Sequence, residues 1–212
     1  MAAVLVGVLA TARPAAAQTI TLEAMGGSAY NVPTPLTIHQ ASFPDIHFTA
    51  HYATKPFGPY APYYSWRLNL WDSHGAWEFQ HVHHRLFLTN TTPEVTYFAV
   101  HFGYNYFLAG RAWRLHGFVV HTTGGLIVTN PDNVVRGLRL NTTNAGPFDV
   151  GYRLSGGGAA LSVSRRAVIT PHFYLLADGG LLVAHATVPV AEGSAVVPNV
   201  GFHGHLGVGF VF

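Results

Sequence analysis

Beyond residue 18 the chain alternates between apolar and polar positions over most of its length. Ile46, Phe48, Ala50 and Tyr52 interleave with His47, Thr49 and His51. Tyr64, Trp66, Leu68 and Leu70 stand opposite Ser65, Arg67 and Asn69. Phe98, Val100, Phe102, Tyr104 and Tyr106 stand opposite His101, Gly103 and Asn105. At the end, Val200, Phe202, Gly204, Leu206, Val208, Phe210 and Phe212 share one face, and Gly201, His203, His205, Gly207 and Gly209 the other. Successive strand side chains point to opposite faces, so a period of two predicts β-strands. Ten strand regions follow: 19–30, 41–54, 61–71, 76–88, 94–108, 112–128, 134–141, 150–169, 172–187 and 196–212. Merging weak regions gives eight, and a break at Asp178-Gly179-Gly180 gives twelve. Turn-forming residues fill the gaps, among them Asp72 to Gly75, Asn90 to Pro93, Ala109-Gly110 and Glu192-Gly193.

Composition decides what covers the apolar faces. Of 212 residues 49% are hydrophobic and only 9% charged, against roughly 25% charged in an ordinary soluble domain. Hardly any segment has the pattern of a helix that could cover the sheet. An all-strand chain in hydrocarbon must close on itself, because an open edge leaves backbone groups without partners. The expectation is therefore an all-β fold: a closed antiparallel transmembrane β-barrel of eight to ten strands, apolar faces to lipid and polar faces to the lumen. A net charge of +2 with scattered basic residues argues against nucleic acid as a partner. The absence of cysteine excludes disulfides and thiol chemistry.

Residues 2–12 are apolar, and Ala15-Ala16-Ala17 before Gln18 has the Ala-x-Ala form of an export cleavage site. The expected division is a signal peptide at 1–17 and a barrel domain at 18–212. With this export site and the terminal Gly207-Val208-Gly209-Phe210-Val211-Phe212, the chain resembles a small outer-membrane β-barrel of Gram-negative bacteria. That resemblance implies an outer-membrane location, lipid and lipopolysaccharide as surroundings, and Phe212 as a signal read by the barrel-assembly machinery. The class holds lipid A-modifying enzymes, narrow channels, adhesion proteins and structural proteins, and the resemblance selects none of them.

Fourteen histidines outnumber the nine acidic residues. Neutral histidine both donates and accepts, so it can satisfy a crowded lumen without permanent charge. A hairpin turning at Asp72 to Gly75 sets Asn69 opposite Glu78, Arg67 opposite Gln80 and Ser65 opposite Val82. A second, turning at Asn90 to Pro93, would set Glu78 opposite Asn105 and Val82 opposite His101. This register gathers Ser65, Arg67, Asn69, Glu78, Gln80, His84, His101 and Asn105 in the lumen, with His203 and His205 near the closing seam. The favoured function is a structural or interaction barrel with a polar, histidine-rich lumen. Two alternatives use the same lumen: an acyl-ester hydrolase of lipopolysaccharide or phospholipid, and a narrow ion- or proton-conducting channel. In the hydrolase Ser65 is nucleophile, His84 or His101 base, and Glu78 the orienting group. No Gly-x-Ser-x-Gly motif and no His-x-Ser element is present.

His81 and His83, and His203 and His205 with Glu23 nearby, have spacing that places two imidazoles on one strand face. Two histidines do not complete a zinc site, so neither a metal nor a cofactor is assigned. Trp66, Trp77, Trp113, Tyr104 and Tyr106 are expected at the membrane interfaces. Arg165-Arg166 reads as a strand-end pair, and Gly156-Gly157-Gly158 as a bend or close-packing site.

Overall fold

The computed structural model describes residues 19–57, 62–140 and 151–212. The signal peptide expected at 1–17 lies outside them. Among the described residues thirteen strands form one antiparallel sheet: β1 (Thr19–Asn31), β2 (Thr34–Gln40), β3 (Ile46–Ala50), β4 (Tyr52–Ala53), β5 (Tyr64–Asp72), β6 (Gly75–Leu88) and β7 (Val95–Leu115), then β8 (Phe118–Thr129), β9 (Asp132–Val135), β10 (Leu138–Arg139), β11 (Arg153–Thr170), β12 (Phe173–Val190) and β13 (Gly193–Val211). The long strands pair in the order β1, β5, β6, β7, β8, β11, β12, β13, and β13 pairs again with β1. The hydrogen-bond topology is thus ring-like. β2, β3, β9 and β10 extend the sheet at one end, where β2 pairs β13, β3 pairs β2, and β9 pairs β7. We call the ring of long strands the trunk and this end the extension.

At the trunk's other end the connections are tight, leaving only Ser73-His74, His116-Gly117 and Pro171-His172 between paired strands. His116 and Gly117 both have positive φ (48° and 84°), the form that matches the twist of a two-residue hairpin. In the first turn the His74 backbone N–H donates to Asp72 Oδ1 at 2.7 Å.

Several expectations change. Ala109-Gly110 is not a turn, and β7 runs on to Leu115. A Cβ at Gly110 would lie 2.0 Å from the Thr122 carbonyl oxygen, so this glycine serves the close approach of β8. Asp178-Gly179-Gly180 lies within β12 and does not split it. Region 134–141 holds parts of the short strands β9 and β10. β2 was not expected: residues 31–40 fall in none of the ten strand regions, although Pro35 does not bar a strand here. The ladder from β13 covers only 37–40, so no bond from that side needs the N–H that Pro35 lacks.

The apolar face also turns the opposite way in two places. Phe98, Val100, Tyr104 and Tyr106 are buried in the main apolar core, not set at a membrane interface. Ile46, Ala50 and Tyr52 join the same core. All these residues lie in the extension or beside it, where apolar side chains point in.

Candidate functional site

The interior of the trunk is organised around Arg67. Its position on β5 is inward, because Trp66 and Leu68 take the other face, and its side chain is fully buried. Its contacts reach both strands that pair with β5 and one, β12, that does not. Nη1 lies 3.1 Å from Glu23 Oε2 on β1, Nε 3.3 Å from Glu78 Oε1 on β6, and Nη2 3.1 Å from Asp178 Oδ2 on β12. One guanidinium therefore ties three carboxylates from three strands. In a water-poor interior such charges are tolerated only when paired and hydrogen-bonded.

A second tier completes the network. Arg166 Nη2 lies 2.7 Å from Glu23 Oε1, and the Tyr174 hydroxyl donates to the same oxygen at 2.7 Å. Ser162 Oγ donates to Asp178 Oδ2 at 3.0 Å. Arg67 Nη1 can only donate, so His121 Nε2, 3.2 Å away, must accept. The His121 proton then sits on Nδ1, 2.5 Å from Glu78 Oε2. His203 Nε2 and His205 Nδ1 stand 3.1 and 3.4 Å from Asp178 Oδ1, and a carboxylate can only accept. Trp71 closes the tight-turn end, with Arg114 and Arg166 over its ring at 4.0 and 5.1 Å.

The first expected hairpin register matches the structure: Asn69 faces Glu78, Arg67 faces Gln80 and Ser65 faces Val82. The second does not. Glu78 faces Gly110 and Val82 faces Tyr106, while Asn105 faces His83. β7 is longer than its sequence pattern suggested, and a register irregularity between His84 and Leu86 absorbs the remainder. Asn105 and His101 consequently leave the expected inner set. Asn105 Oδ1 contacts His81 Nε2 at 3.2 Å and His83 Nδ1 at 2.9 Å, on the face that carries Phe107. The His101 ring packs on Phe87 and Phe102.

Of the remaining site residues, Ser65, Asn69, Gln80 and His84 are buried. Ser65 Oγ donates to the His81 backbone carbonyl at 2.8 Å, and His84 Nε2 pairs with Asn31 Oδ1 at 2.8 Å. Glu78 is held by Arg67 and His121. Asn69 donates to Thr21, and Gln80 accepts from Thr123. Phe212 is exposed at the tight-turn end, its N–H donating to the Ile20 carbonyl. Sequence reasoning missed His121, Ser162, Ser164, Asp178 and Tyr174, which complete the network from β8, β11 and β12. Their inward parity was legible strand by strand. Which of them meet across the interior was not.

No family model matches the chain, and no curated protein matches it. Three solved structures follow a similar chain path. OprG from Pseudomonas aeruginosa is 10% identical with a TM-score of 0.47, covering 93% of this chain and 97% of its own. Neisserial surface protein A is 12% identical with a TM-score of 0.40, covering 92% and 97%. The attachment invasion locus protein Ail of Yersinia pestis is 8% identical with a TM-score of 0.39, covering 92% and 99%. At such identities and scores the likeness assigns no activity to this chain.

Proposed function

We propose that this chain is an eight-stranded closed β-barrel in the outer membrane of a Gram-negative bacterium, with a structural or interaction role. The trunk spans the bilayer, the tight turns face the periplasm, and the extension stands outside. One observation carries the reading. Phe202, Leu206 and Phe210 on β13 are 56%, 73% and 46% exposed while His203 and His205 between them are buried. Exposing a band of large apolar side chains around buried charges is costly in water and favourable in lipid. The network around Arg67 plugs the trunk and braces it across strands, which favours a rigid support for the extension over a conducting passage. Ser65 donates to a backbone carbonyl rather than to a histidine ring, which favours the structural reading over the acyl-ester hydrolase.

Expression with outer-membrane fractionation tests this directly. The protein is expected in the outer-membrane fraction, with different gel mobility before and after boiling, no conductance step in planar bilayers, and unchanged lipid A and phospholipid masses. Recovery as a soluble protein overturns the location. A conductance step or a deacylated lipid overturns the structural role.

A further inference from the structure

Asp178, His203 and His205 form a cluster that the bracing role does not need in full. Arg67 and Ser162 already hold Asp178 through Oδ2. The other oxygen, Oδ1, is left to two imidazoles from the neighbouring strand. One ligand atom from each of the three residues lies within 4.8 Å of the others, and all three residues are buried. Metal–ligand bonds of about 2.0–2.1 Å in a tetrahedron put ligand atoms roughly 3.3 Å apart. The separations from Oδ1, 3.1 and 3.4 Å, lie on either side of that value.

We propose that Asp178, His203 and His205 bind a divalent transition-metal ion of the zinc and cobalt class, with one coordination position open. Charge supports a cation here. Three carboxylates, Glu23, Glu78 and Asp178, meet two guanidiniums, Arg67 and Arg166, in direct contact, leaving one buried negative charge when the histidines are neutral. Two imidazoles and a carboxylate are the donor set that suits such ions. A groove also borders the cluster: its volume is about 880 Å³, and Asp178 and His205 line it together with Gly26, Gly27, Tyr63 and Gly204. A Cβ at Gly26 or Gly204 would meet nothing within 4 Å, so no side chain covers the outer face there. The Tyr63 ring stacks on His205 at 5.3 Å, and its buried hydroxyl has no hydrogen-bond partner. The site depends on the interior of the ring and not on where the protein resides.

The test is a Co²⁺ titration of the folded, untagged full chain carrying His39→Ala and His47→Ala, which removes the exposed imidazoles around Asp45. One Co²⁺ is expected to bind with the visible absorption of four- or five-coordinate cobalt and to be displaced by Zn²⁺. His203→Gln or His205→Gln is expected to weaken binding by about tenfold or more, whereas His83→Gln leaves it unchanged. Absence of the visible band at saturation, or a band that survives both His203→Gln and His205→Gln, overturns the proposal. If those variants fail to fold, Cu²⁺ with ascorbate and dissolved oxygen oxidises the histidines around the bound ion in the His39→Ala/His47→Ala chain, ascorbate reducing the copper and oxygen supplying the added atom. Peptide mass mapping is expected to place the added oxygen on His203 or His205. Oxidation confined to other histidines overturns the site.

Discussion

Trunk and extension are built partly from the same strands, yet their polarity is opposite. Along β13 the inward positions read Ala195 and Val197 in the extension, then Asn199, then His203 and His205 in the trunk. The outward positions run from Ser194 through Val196, Pro198 and Val200 to Phe202, Leu206 and Phe210. β12 repeats this: Val190, Val188 and Ala186 point in and Thr187 out, whereas Asp178 points in and Val183, Leu181 and Leu175 out. The β12–β13 ladder runs without a shift from Phe173–Phe210 to Val190–Gly193, so no slip explains the change. Backbone parity stays fixed while the inward residues change from apolar in the extension to include Asp178, His203 and His205 in the trunk. On the proposed reading the difference teaches that the medium outside the sheet changes along the strand: the extension packs an apolar core against water, and the trunk packs charges inside an apolar surround.

The largest expected effect comes from removing the charge that holds the trunk. Arg67→Met leaves three carboxylates facing one another, and breaking a buried pair by deleting one partner costs about 3–5 kcal/mol. Loss of the folded, fast-migrating gel form at moderate urea measures it. Next, Leu206→Arg is expected to cost about 2–4 kcal/mol in bilayers, as for a cation on a lipid face. Thr187→Arg, outward but in the extension, is expected to stay within about 0.5 kcal/mol. Equal effects would erase the distinction between the two regions. Leu36→Ala removes a fully buried side chain from the extension core and is expected to cost about 2–3 kcal/mol there. Limited proteolysis is expected to nick the extension and spare the trunk.

The smallest effect concerns the hairpin that starts the trunk. The His74 backbone N–H beside it holds the Asp72 carboxyl below its ordinary range. A lowered folded value means that the stabilisation is complete above the unfolded value of about 3.9. It is lost as pH falls through the folded value. An NMR titration is expected to place the Asp72 midpoint below that of an unfolded peptide. Asp72→Asn keeps an acceptor oxygen and is expected to abolish this part of the pH dependence.

Much of the trunk was legible because its strands carry unbroken alternation. β1, β6 and β13 fall within a few residues of their expected bounds, and the β5–β6 register follows from the tight turn at Ser73-His74. The extension was harder to read. β2 fell in the unassigned stretch 31–40, and the long β7 was cut at a glycine that answers a neighbouring strand. The inversion itself was invisible to a rule that sends every apolar face to lipid, so Tyr104 and Tyr106 were set at the interface although their hydroxyls bond Val197 and Asn199 across the interior. The network was half visible. Arg67 and Glu78 share one hairpin, but Asp178 and His121 reach them only through the curvature of the whole ring, which no local pattern encodes.

The chain has no cysteine, so Leu206→Cys and Thr187→Cys, made singly, each take one thiol-directed nitroxide label without background. In reconstituted bilayers the central claim requires the label at 206 to collide with dissolved oxygen and to be shielded from a water-soluble nickel complex, with the order reversed at 187. Equal access of the nickel complex to both positions, or shielding of the label at 206 from oxygen and nickel alike, would contradict a trunk whose apolar face meets lipid.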